Sequence, residues 1–208
     1  MKRSCTCRIV AVVSILLLSI QLPLAAQTLS DTVPYSFAEN AGLLVTPSSA
    51  GQATGYARLQ PNGGSSTPAM VEVLGFRTGD VLVSETIVPA APTMLSGRLF
   101  SRSGSTSSLG VAMANPNSQA ATVSFFFTDS SGTDLAGGSM AIPANGQVAR
   151  LFSEMSPSAS ASSTFTFTSN VPLSVLGLRR FTNERGEFLT TVLPAASLDT
   201  AVPTDTVF

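Results

Sequence analysis

The sequence predicts an all-β fold, an antiparallel Ig-like β-sandwich, and three observations lead there. Short apolar runs alternate with period two, turn residues recur at roughly ten-residue spacing, and helical periodicity is almost absent. The cleanest alternation sets Phe165 and Phe167 inward, with Thr164, Thr166 and Thr168 outward. Within Ala121 to Asp129, the same rule puts Val123, Phe125 and Phe127 in the core and leaves Phe126 to be covered by a neighbour or exposed.

Taken in order, residues 27 to 52 form a polar lead-in that includes Tyr35, Phe37 and Leu43-Leu44-Val45. A first sheet-forming block runs Gly55 to Leu59, Met70 to Arg77 and Val81 to Val88. The link Thr78-Gly79-Asp80 makes the last two a hairpin. A second block reads as strands at Leu95 to Ser101, Leu109 to Ala114, Ala121 to Asp129 and Thr133 to Ile142. Strands Leu173 to Phe181 and Phe188 to Leu193 complete it. Turns fall at Asn115-Pro116-Asn117-Ser118-Gln119, Asp129-Ser130-Ser131-Gly132, Pro143-Ala144-Asn145-Gly146 and Asn183-Glu184-Arg185-Gly186. Val148, Leu151, Phe152 and Met155 recur at helical spacing, so a short helix or a strand ending in a helical turn is expected.

The N-terminus predicts a cleaved secretory signal. Lys2, Arg3 and Arg8 precede the apolar run Ile9 to Ile20, and Pro23-Leu24-Ala25-Ala26 supplies small residues before a cut after Ala26. The run is short for a membrane span, which needs about 20 residues, so no transmembrane segment is expected after cleavage. Both cysteines, Cys5 and Cys7, leave with the signal, so the mature chain has no disulfide. It keeps eight basic residues, all arginine, against twelve acidic ones. That balance offers no patch for phosphates, and nucleic-acid binding is not expected.

The chain also repeats itself. Glu72-Val73-Leu74-Gly75-Phe76-Arg77 is echoed by Ser174-Val175-Leu176-Gly177-Leu178-Arg179, and Val81 to Ala91 by Phe188 to Ala196. The offset grows from 102 at Val73/Val175 to 105 at Pro89/Pro194, so the second copy carries three extra residues between its strands. A unit of that length is domain-sized. The expected division is a signal at 1-26, a partial β-module at 27-92, a full sandwich at 93-197 and a flexible tail at 198-208. The partial module, too thin to bury a core alone, is expected to pack on the full one or complete its sheet.

Gly110-Val111-Ala112-Met113-Ala114-Asn115-Pro116-Asn117, Ile142 to Arg150, Val175 to Arg179 and Asn183 to Thr191 resemble the recurring blocks of uncharacterised Ig-like repeat modules in secreted proteins of environmental bacteria. The resemblance implies an extracellular or surface sandwich module with no assigned activity.

The residues that are missing constrain the chemistry. The chain has no histidine, and past the signal it has neither lysine nor cysteine. Ser-His-Asp, Cys-His and Ser-Lys systems each lack their base, and a zinc site of Cys and His ligands lacks its donors. No cofactor, metal or catalytic residue is assigned. Carboxylate chemistry of the glycosidase kind would have to draw on Asp129, Asp134, Glu154, Glu184 and Glu187, most of which sit in predicted turns. Asp129 to Asp134 places oxygens at alternate positions, as calcium sites do. It lacks the later glutamate, and a plain hairpin turn is the preferred reading.

One loop stands out as a candidate recognition site: Arg179, Arg180, Asn183, Glu184, Arg185 and Glu187. The preferred reading of the same residues is a local ion-pair cluster at the sandwich end, with the recognition loop as the sharper alternative. The function expected is that of a secreted, periplasmic or cell-surface non-catalytic module with a structural, adhesive or protein-binding role. Its partner would be a protein or polysaccharide, with self-association through strand edges a further expectation. A carbohydrate-binding module comes second and would need a row of exposed aromatics. A carboxylate-based glycoside hydrolase comes third.

Overall fold

The computed structural model describes residues 4–9, 31–36, 42–44, 55–61, 67–78 and 80–199. The chain divides into two compact units, Met1–Val71 and Glu72–Phe208. In the first, β1 (Ser4–Ile9) lies between β2 (Asp31–Ser36) and β3 (Arg58–Pro61), antiparallel to both. The rest of the expected apolar signal run and the cut after Ala26 fall outside the described residues.

The second unit is all-β and antiparallel. It opens with the two-stranded sheet β4 (Val71–Thr78) and β5 (Val81–Pro89), the hairpin expected from the Thr78 to Asp80 link. Next come β6 (Thr93–Phe100), β7 (Ser107–Ala114), β8 (Ala121–Thr128), β9 (Asp134–Ile142) and β10 (Gln147–Leu151). The chain then makes one helical turn, α1 (Phe152–Met155), and a 3-10 turn, Pro157–Ala161. Last come β11 (Thr164–Thr182), β12 (Phe188–Pro194) and the two-residue β13 (Ala196–Ser197).

β11 organises this unit. Over Thr164 to Ser169 it pairs with β6 on one side and β8 on the other. Over Ser174 to Thr182 it pairs with β7 and β12. Sequence reading starts a separate strand at Leu173, after Asn170 and Pro172, yet one strand runs from Thr164 to Thr182. The register shift between Thr168 and Leu173 absorbs the extra residues as an irregularity. Proline is tolerated there because the ladder is already interrupted. Asn170 adds a side-chain bond, its Oδ1 accepting from the Thr122 amide at 2.7 Å.

The strands β13-β6-β11-β8-β9 thus form one hydrogen-bonded group, and β10-β7-β11-β12 another. Both contribute to a single core: Leu99 from β6, Val111 and Met113 from β7, Val123 and Phe127 from β8, and Phe165 and Val175 from the two halves of β11. At its centre Phe165 stacks on Phe152 at 4.9 Å and meets Phe127 at 5.3 Å and Phe125 at 5.6 Å. Offset and edge contacts of this kind add to what area burial alone gives.

The period-two assignment places Val123, Phe125, Phe127, Phe165 and Phe167 correctly, all buried. Thr166 departs from it, being only 4% exposed. Its cross-strand neighbours are Arg98 on β6 and Phe126 on β8, and Arg98 Nε donates to its Oγ1 at 3.0 Å. Two large side chains therefore roof a small one, and Phe126 is half-buried in doing so.

The contact division falls after Val71, so hairpin β4–β5 goes with the strands that follow it. β5 lies beside β12. Most of the expected flexible tail, residues 200-208, lies outside the described residues. Ala196 and Ser197 pair with Arg98 and Gly97 on β6, and the Leu198 amide donates to Ser96 O at 3.0 Å. Asp199 then accepts from the Ser96 amide at 2.8 Å, the Ser96 hydroxyl at 2.6 Å and the Leu95 amide. An edge strand with unpaired amides is being covered, and the carboxylate finishes what two residues of strand cannot.

These bonds, led by that from the Ser96 hydroxyl, hold the Asp199 carboxyl below its usual value of 3.8. A depressed folded value stabilises the fold above the unfolded value, and the contribution is lost as pH falls through the lower folded one. Asp129 is displaced in the same direction by Ser131 and Thr133. Asp199→Asn should therefore flatten part of the fall in melting temperature below about pH 4, leaving the share that belongs to Asp129. An unchanged acid profile would refute this role of the Asp199 carboxylate.

Candidate functional site

The predicted recognition residues gather at the tip of the β11–β12 hairpin, and the local sequence explains why. Asn183 N donates to Glu187 O at 3.1 Å and Gly186 N to Asn183 O at 3.0 Å. Asn183 Oδ1 accepts from the amides of Arg185 and Glu187 at 3.0 and 2.9 Å. Gly186 has φ of 76°, a left-handed conformation that costs glycine nothing.

The β8–β9 hairpin uses the same loop. Asp129 N donates to Thr133 O, Gly132 N to Asp129 O, and Asp129 Oδ1 accepts from the Ser131 and Thr133 amides. Gly132 has φ of 87°. An Asx residue three positions before a left-handed glycine thus closes both hairpins. Asp129 serves here as a turn-closing group, in line with the preferred reading of that loop.

Among the described residues the tip holds one ion pair. Arg185 pairs with Glu187 at 2.8 Å, and Asn183 Nδ2 donates to the same oxygen at 2.7 Å. The Arg185 side chain is 79% exposed, so that pair contributes little. Glu184 is exposed and makes no side-chain bond among the described residues.

Arg179 and Arg180 turn to rings instead. The Arg179 guanidinium lies 5.3 Å from the Phe181 ring centroid, and that of Arg180 lies 5.1 Å from the Phe188 centroid. Register places the two pairs on opposite faces: Arg179 and Phe181 are two apart on one strand, while Phe188 sits opposite Thr182, diagonal to Arg180. Each contact is worth about 0.5–1 kcal/mol at such a half-exposed position. Stacking on a ring also holds the planar fork in one orientation with N–H groups free at its edge, the geometry that suits a carboxylate, sulfate or phosphate.

Sequence reasoning found the arginines and missed Phe181 and Phe188. The Arg179-x-Phe181 spacing on a strand was an available signal. The Arg180–Phe188 pairing needs the hairpin register and had none. A third contact was also invisible: Thr182 N donates to Thr106 O at 2.9 Å, which ties the hairpin to the turn before β7.

Glu154 accepts from the Leu151 amide at 3.0 Å and caps α1, and Glu187 is engaged in the tip. These carboxylates of the third-ranked hydrolase reading have local structural duties. Among the described residues no helix is long and apolar enough to cross a membrane. Phe100, 56% exposed, is the aromatic ring found among the strongly exposed apolar residues described. Comparison with family models, with curated proteins and with solved structures finds no match for this chain.

Proposed function

We propose that this chain is a non-catalytic Ig-like β-sandwich module acting outside the cytoplasm, in the periplasm, at the cell surface or in the medium, with an adhesive or protein-binding role. The observation that carries the reading is the β11–β12 hairpin. It carries Arg179 and Arg180 on the strand that runs through the core, each with its guanidinium over a ring, Phe181 or Phe188, and Arg185 in the turn that follows. Rigid scaffolds with loop-borne charged side chains are where binding concentrates. An anionic group on a partner surface is the complement such forks select.

Secretion rests on the leader at residues 1-26, and the module architecture on the two strand groups around one core. The echo of the 72-91 segment in 174-196 fits a duplicated hairpin, since both stretches fold as antiparallel strand pairs. The absence of histidine, and of cysteine and lysine beyond the leader, supports the non-catalytic reading. A carbohydrate-binding mode built on an aromatic row gains no support from the described residues, among which Phe100 is the strongly exposed ring.

The test is retention of labelled secreted protein on the producing cells, compared with the Arg179→Ala/Arg180→Ala double variant. The expected result is a loss of retention of about tenfold or more with the melting temperature shifted by only a few degrees. Equal retention of both proteins would remove the hairpin from the reading. Recovery of the chain in the cytosol with residues 1-26 attached would remove secretion.

A further inference from the structure

A second polar site lies away from the hairpin arginines, and it does not depend on the reading above. Where β6 ends, Arg102 and Ser103 face Ser130 of the β8–β9 turn and Ser160 and Ser163 around the 3-10 turn, across a cavity of about 390 Å³. We propose that this cleft binds a single acidic sugar unit, a ring carrying several hydroxyls and one carboxylate.

The floor of the cleft is cross-linked by hydrogen bonds. Ser162, 1% exposed, hydrogen-bonds through its hydroxyl with Ser101 and donates to Ala159 O at 2.7 Å. Ser101 N donates to Ser163 O at 3.0 Å, and Ser163 N to Thr128 O at 2.7 Å. The ends of β6 and β8 and the start of β11 are thereby locked together beneath the opening. Preorganisation of this kind lowers the ordering cost of binding.

The rim has unused capacity. The side chains of Arg102, Ser103, Ser130 and Ser163 make no hydrogen bond or ion pair among the described residues, whereas Ser160 donates to Pro157 O at 3.1 Å. Three hydroxyls, each both donor and acceptor, match the hydroxyls of a sugar. A guanidinium without an acidic partner matches one carboxylate. A dianion such as phosphate would want a second cation, and Arg102 is the one charged residue of the lining. The volume lies near the lower end of the roughly 300–1,000 Å³ of small-ligand sites, which limits the occupant to about one ring.

The experiment is an amide-resolved NMR titration of the full chain with sodium glucuronate, with glucose and sodium acetate as separate arms. Glucuronate is expected to give saturable shifts confined to residues 101–103, 130 and 160–163, with weaker responses to glucose and to acetate. Arg102→Ala should weaken binding roughly ten- to a hundredfold, as loss of a charged hydrogen bond does. Arg150→Ala, on β10 and outside both sites, should bind as the parent does. The proposal is overturned if glucuronate gives no saturable shift, if acetate or glucose binds as well, or if Arg102→Ala leaves the affinity unchanged.

Discussion

Phe165→Ala is expected to cost about 3–5 kcal/mol of stability, near the upper end for a single core truncation. The ring is fully buried and packs against Phe125, Phe127, Phe152 and Phe167, the last at 6.3 Å. These partners come from β8, from α1 and from β11 itself, so the void would open at the meeting point of three elements. Collapse to fill it is hindered because Phe127 and Phe152 are pinned to each other edge-on at 5.4 Å. Urea unfolding of the parent and variant measures the loss. A change below about 1 kcal/mol would mean that the site relaxes freely and that this cluster is not the centre of the core.

The second large effect is expected at Asn115, a side chain fully shielded from solvent. Its Nδ2 lies 2.9 Å from Gln119 O, 2.9 Å from Pro143 O and 3.2 Å from Ile142 O. Its Oδ1 accepts from the Asn117 amide at 3.1 Å and from Asn117 Nδ2 at 2.8 Å, and the latter group also reaches Pro172 O at 2.8 Å. One buried amide thus joins the β7–β8 loop to the end of β9, while its neighbour ties that loop to the irregular stretch of β11. Asn115→Ala leaves several of these groups without a partner in a dry site, and roughly 2–4 kcal/mol should be lost.

Asn115→Asp tests the same network with its sign exposed. A carboxylate facing two or three carbonyl oxygens is raised above its ordinary value, so the penalty should grow as pH rises through the carboxylate range. A variant that is most stable at neutral pH would contradict the assigned orientation of the amide.

How far the sequence could be read depends on the range of the forces involved. Alternation along β8 was legible because side-chain direction is a local property of a strand. The turns at Asp129 and Asn183, and that at Pro143 to Gly146 with Asn145 left-handed, were legible for the same reason: Asx and glycine chemistry acts within a few residues. Thr166 was misjudged because exposure belongs to neighbours on other strands. β11 was read as two strands because Asn170-Val171-Pro172 carries a local stop signal that Thr122, 48 residues earlier, overrides. At the candidate site the arginines were visible and their rings were not. The bonds of Asp199 were not legible because its partners, Leu95 and Ser96, lie more than a hundred residues away.

The continuity of β11 bears on how the second unit would yield to mechanical pulling. A backbone flanked on both sides along its length must break its ladders together, in shear. The segment from Ala196 to Asp199 pairs with β6 and, lying at the sheet edge, would unzip bond by bond. Tension applied at the C-terminal end should therefore bare the outer edge of β6 well before the phenylalanine cluster gives way. A stretched chain would pass through a state that is still folded but has one open edge.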